Sequence, residues 1–206
     1  MSPLPGPRAR GHRLPMVTAL LLALVGTLGL TGCASLGTAA KYDGGRLRID
    51  GTDLSFRLPE GWERRDNEEL ADALAGSEID DELAERGGIS SSQQDAILDE
   101  VVLFAVGPGG SSLNVLTSSE ALPPRAVLID QVESFGGTDV RETDFPTDVG
   151  DSFAVAYRLD AQGVQADLLA MVIDTGDRLS VITVTTGSRA ETDRVAEVIR
   201  TSLALR

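Results

Sequence analysis

The last third of the chain constrains the fold most, because it is a succession of strand-like runs closed by one amphipathic helix. Asp139 to Thr143, Phe153 to Asp160, Val164 to Asp174 and Leu179 to Thr185 read as consecutive strands. Ala161-Gln162-Gly163 and Thr175-Gly176-Asp177 join the later ones, and turns of that length connect antiparallel neighbours. The period then changes. From Arg189 to Leu203, Val195, Val198, Ile199 and Leu203 recur at helical spacing, and Ser188 with Glu191 gives the S-x-x-E pattern of a capping box.

The earlier part repeats the theme. Leu47 and Ile49 alternate with Arg46, Arg48 and Asp50, and Leu54, Phe56 and Leu58 alternate with Ser55 and Arg57. The period of two puts one face in a core, and Asp50-Gly51 predicts a tight hairpin between the runs. Pro59 withholds an N–H and ends the second strand. Leu70 and Leu74 within the acidic stretch Asn67 to Arg86 predict two short amphipathic helices broken at Gly76-Ser77. Val101 to Val106 and the alternating Leu113, Val115 and Thr117 flank Gly107-Pro108-Gly109-Gly110, which predicts a second hairpin. Leu128, Val132 and Phe135 share a face of a predicted helix over Leu122 to Phe135, stopped by Gly136-Gly137.

Hairpins interleaved with helices, with few βαβ crossovers and no long repeat, predict an α+β domain. Its sheet should be largely antiparallel and flanked by helices, with the carboxy-terminal helix packed on it. The strand ending in Phe56-Arg57-Leu58-Pro59-Glu60-Gly61-Trp62, followed by helices and a meander feeding a last helix, resembles the PsbP-like fold and lipoproteins of the LpqN type. The resemblance covers about residues 46–205 as a layout plus one short motif. It implies a non-catalytic accessory or binding role and carries over no functional residue.

The amino end has a different character. Arg8, Arg10 and Arg13 precede an apolar run from Met16 to Leu30. That run has about 15 residues, short of the roughly 20 needed to cross a bilayer, and reads as a cleaved export signal. It ends in Leu30-Thr31-Gly32-Cys33 and contains no A-x-A site. These four residues resemble the bacterial lipobox, which implies cleavage after Gly32 and attachment of a diacylglyceryl group to the Cys33 sulfur. The alternative is an apolar cysteine at the end of an uncleaved helix. Residues 1–32 are thus expected to be a cleaved signal, 33–45 a lipidated flexible tether and 46–206 one globular domain. The anchor would place the protein on the extracytoplasmic face of the cell membrane.

Cys33 is the one cysteine and His12 the one histidine among 206 residues. Loss of the signal removes His12, so Ser-His-Asp and Cys-His nucleophile systems lack their base, zinc lacks its usual ligands and no intramolecular disulfide can form. It also removes three of the 18 Lys and Arg residues against 32 Asp and Glu, leaving a net charge of −17. That balance speaks against nucleic acid, which needs a basic stripe, and predicts a domain standing off an anionic bilayer.

The remaining motifs have ordinary explanations. Ser77 to Glu85 and Asp95 to Glu100 lack the D-x-D-x-D-G spacing of a calcium loop and read as solvated helix faces. Gly107 to Ser112 lacks the Lys-Ser/Thr ending of a phosphate loop. The acids Asp80-Asp81 and Asp144-Asp148 suggest glycoside hydrolysis only if two of them share a cleft, and Trp62 reads as a packing residue. Gly87 to Asp95 is the one plausible functional loop. No catalytic residue, metal ligand or cofactor is assigned. The preferred expectation is a membrane-anchored module binding an envelope protein or small ligand, and the alternative is an envelope hydrolase using carboxylates.

Overall fold

The computed structural model describes residues 45–66, 69, 85–86, 90, 100–119, 124–161 and 163–206. The expected signal segment, Cys33, nearly all of the expected tether, most of the stretch Asn67 to Arg86 for which helices are predicted and most of Gly87 to Asp95 lie outside the described residues.

The expected α+β architecture is observed. Among the described residues ten strands run in chain order: β1 Leu47–Arg48, β2 Leu54–Phe56, β3 Glu63–Arg65, β4 Val101–Val106, β5 Ser112–Ser118, β6 Thr138–Asp144, β7 Asp151–Ala161, β8 Val164–Asp174, β9 Leu179–Thr186 and β10 Ala204–Leu205. Two α-helices are described in full, α1 Arg125–Ser134 between β5 and β6, and α2 Arg189–Ser202 after β9. Seven strands form one sheet in the order β3-β4-β5-β9-β8-β7-β6, and β1-β2-β10 form a second, small one. Every pairing is antiparallel.

The large sheet is the wall between two cores. On β7, Phe153, Val155, Tyr157 and Leu159 face a cluster that includes Leu128, Val132 and Phe135 of the α1 region. The intervening Ala154 and Ala156 face the other cluster, with Leu169, Met171 and Ile173 of β8 and Val195, Ala196 and Ile199 of α2. The small sheet closes that second side with Leu54 and Phe56. Both faces of β8 and β9 are therefore buried, which explains the unbroken hydrophobic run Leu168 to Ile173 in β8, while β9 mixes apolar residues with buried Ser180, Thr183, Thr185 and Thr186.

Several local details differ from the sequence expectation. β3 has the sequence Glu-Arg-Arg and carries no apolar alternation; it forms by pairing with β4, with Arg64 opposite Ala105. α2 ends at Ser202, and Ala204–Leu205 leave it as a strand along β2. Ser188 occupies the N-cap but makes no side-chain cap bond. Its expected partner Glu191 instead accepts from Ser111 Oγ at 3.1 Å and lies 3.8 Å from Arg194. The Gly107-Pro108-Gly109-Gly110 turn is present, with Gly109 at φ 68° and Gly110 at φ 79°. Gly107 has a separate reason to lack a side chain: a Cβ there would lie 2.4 Å from the Trp62 ring.

Candidate functional site

α2 lies across β8 and β9 and reaches β2. On the same face β7 places Ala154 and Ala156, which belong to the same core cluster as Val195 and Ala196 of α2. Beside these small side chains a cleft of about 420 Å³ opens between α2 and the edge strand β6. Phe145, Ala154, Ala156 and Leu169 give it an apolar lining. Arg141, Thr143 and Asp144 come from the β6 wall. Arg189, Asp193, Glu197 and Arg200 come from α2, where spacings of three and four residues align them beside the buried stripe Thr192, Val195, Ala196 and Ile199.

Some of these charges are already committed. Arg200 grips Glu197 through two bonds, Nε to Oε2 at 2.8 Å and Nη2 to Oε1 at 2.6 Å. The hydrogen bonds and charge of Arg200 hold the Glu197 carboxyl below its usual range. Arg189 Nε lies 3.6 Å from Asp167 Oδ1, whose carboxylate also accepts from Arg158 Nη2 at 3.2 and 3.3 Å. Asp167 is only 5% exposed, so this shared carboxylate fixes the start of α2 against β8. The Thr192 hydroxyl adds a contact to the Asp167 carbonyl at 3.2 Å. Arg141, Asp144 and Asp193 make no ion pair among the described residues.

The cleft thus offers one uncommitted guanidinium, two uncommitted carboxylates and an apolar lining. This inventory suits recognition of a group that brings both charges. It is a poor fit to acid catalysis by Glu197, since a general acid needs its pKa raised and this one is lowered. No group of three or more His, Cys, Asp or Glu side chains capable of holding a metal occurs among the described residues.

Of the residues singled out in the sequence, Asp144 lines the cleft and Trp62 is buried at 2% exposure in the core. Asp148 is exposed in the turn before β7. Asp80, Asp81, Cys33 and the Leu30-Thr31-Gly32 motif lie outside the described residues. The α2 side of the cleft was not anticipated. Its signal was a second helical stripe, 189-193-197-200, beside the apolar one, together with two alanines alternating on the strand it faces.

The molecule defined by this fold and cleft is an α+β domain with an antiparallel sheet between two cores. Its layout is similar to that of the solution structure of cyanobacterial PsbP (CyanoP) from Synechocystis, at 15% identity and TM-score 0.46, covering 86% of this chain and 99% of that one. A crystal structure from Bacteroides thetaiotaomicron matches at 10% identity and TM-score 0.42, covering 79% of this chain and 49% of that one, so this chain spans about half its length. Both likenesses are of layout alone. No protein-family model and no curated protein matches the sequence.

Proposed function

We propose that this chain is a lipid-anchored extracytoplasmic protein whose domain is a non-catalytic binding or accessory module, with the α2–β6 cleft as its recognition site. The observation that carries the anchor is the coincidence of a charged start, a short apolar run and Leu30-Thr31-Gly32-Cys33 around the only cysteine. A diacylglyceryl cysteine supplies two acyl chains at one position, which holds a protein on a bilayer where one chain does not. Among the described residues no helix is long and apolar enough to cross a membrane. The occupant of the cleft is an envelope protein or a small ligand that brings both a carboxylate and a cation, answering Arg141 on one wall and Asp193 on the other.

One experiment in cells tests both halves, using wild type, Cys33→Ala and Ala156→Leu. Ala156 lines the cleft at 5% exposure, and a leucine there occupies the space a ligand would need. Wild type and Ala156→Leu should incorporate labelled palmitate, while Cys33→Ala accumulates as unlabelled precursor. Crosslinking in intact cells should yield a discrete adduct for wild type that Ala156→Leu lacks. Palmitate on Cys33→Ala would sink the anchor, and an unchanged adduct pattern in Ala156→Leu would remove the cleft from the account.

A further inference from the structure

The chain is strongly acidic, yet one surface has the opposite sign. In the small sheet Leu54 and Phe56 are buried on the inner side. Arg48 is opposite Ser55 across the β1–β2 pair, and Ala204 is opposite the same serine across β2–β10. Two-residue alternation therefore puts Arg46, Arg48, Arg57 and Arg206 together on the outer side. Arg46 fits that placement, since its guanidinium donates to the Ser55 carbonyl and hydroxyl at 3.3 and 3.4 Å and to the Ser202 carbonyl. All four arginines are exposed. None forms an ion pair among the described residues, whereas Arg64, Arg65, Arg125, Arg158, Arg189, Arg194 and Arg200 all do. Asp50 and Asp53 share the face by the same alternation; Asp50 is paired with Arg64 at 3.3 Å, and Asp53 makes no ion pair among the described residues.

Position supplies an independent observation. Arg46 directly follows Gly45, the first described residue, so residues 1–44 join the domain at this face. We propose that the face docks the domain on the anionic headgroups of the membrane that carries it. The geometry rests on the Cys33 reading above: a tether from Cys33 to Gly45 spans at most about 40 Å, and a short tether turns a weak association into an intramolecular one at millimolar effective concentration. Guanidinium groups pair bidentately with phosphate, and each basic residue near an anionic surface strengthens partitioning about fivefold. The net negative charge of the whole chain does not prevent this, because charges more than about 8 Å from the lipid are screened at physiological salt. The expectation that the domain stands off the bilayer followed from that net charge and took no account of where the unpaired arginines fall.

The test uses residues 33–206 with Cys33→Ala, a piece that retains both core clusters whole. Flotation with vesicles of mixed phosphatidylglycerol and phosphatidylcholine at about 50 mM salt should carry the protein, and raising salt to about 500 mM should release it. Vesicles of phosphatidylcholine alone should not carry it. The double variant Arg48→Gln/Arg57→Gln should weaken partitioning about 25-fold, while Arg178→Gln/Arg194→Gln, matched in charge but elsewhere on the surface, should change it by less than threefold. No flotation, equal flotation with both vesicle types, or equal losses in the two double variants would each overturn the proposal. Because this chain bears no lipid, the result is independent of whether Cys33 is acylated in cells, which the palmitate experiment reads separately.

Discussion

Tyr157 shows how a single side chain carries a measurable cost. It is fully buried on the α1 side of the sheet, its hydroxyl finds no hydrogen-bond partner among the described residues, and burial pushes its phenol well above the ordinary value. A buried hydroxyl without a partner is destabilising, so Tyr157→Phe should raise stability by about 1 kcal/mol in urea denaturation. The pH dependence follows from the direction of the shift. The unfolded chain ionises the phenol near pH 10 and the folded chain only well above it, so between those values the unfolded state holds fewer protons and stability falls as pH rises. Wild type should therefore lose stability above pH 10 more steeply than Tyr157→Phe, by up to about 1.4 kcal/mol per pH unit. Parallel losses in the two proteins would show that the phenol does ionise in the folded state. The alternation around Tyr157 was legible in the sequence, but its orphaned hydroxyl was not, because partners across a sheet come from strands whose register the sequence leaves open. The same limit applies to Trp62. Its role in packing was readable, while the close approach that requires glycine at position 107 depends on how the β4–β5 turn folds over the ring.

At the level of elements, β7, β8, β9 and the last helix announced themselves because each carries several apolar residues at its own period. β3 and β10, with three and two residues, have too few positions to show a period, and their conformation comes from the strands they pair with. The capping box failed for a related reason. Local pattern places Ser188 and Glu191 correctly, but the Glu191 carboxylate turns to Ser111, 80 positions away in the chain. The start of α2 is held instead by Thr186, whose hydroxyl lies 2.7 Å from the Ser188 carbonyl, 3.2 Å from the Ser188 N–H and 2.7 Å from the Thr192 hydroxyl. Removal of a serine that makes no cap bond should be nearly silent, with Ser188→Ala costing less than about 0.5 kcal/mol. Thr186→Val deletes a fully buried hydroxyl that others rely on and should cost about 1 to 2 kcal/mol. Thermal denaturation of the two variants tests this, and the reverse ranking would restore Ser188 as the functional cap.

For the whole molecule, the α+β class and the antiparallel meander were readable, whereas the cleft was not. A cleft is what remains between a helix and an edge strand where the side chains between them are small, and the path of α2 over β8 and β9 is fixed by tertiary packing. That double-faced sheet has a consequence for unfolding. Adjacent residues of β7 belong to different cores, Val155 to one and Ala156 to the other, so neither core can lose its wall while the other keeps it. Cooperativity of this kind makes a domain two-state. Trp62, the only tryptophan, reports from the α2 side, Tyr157 absorbs on the α1 side, and far-ultraviolet circular dichroism reads the strands between them. Urea transitions followed by Trp62 fluorescence, near-ultraviolet tyrosine dichroism and far-ultraviolet dichroism should share one midpoint and one slope. An earlier midpoint for Trp62 would mean that α2 and the small sheet melt away first, leaving the α1 side and the strands intact, and would make the α2–β6 cleft a separately unfolding part of the domain.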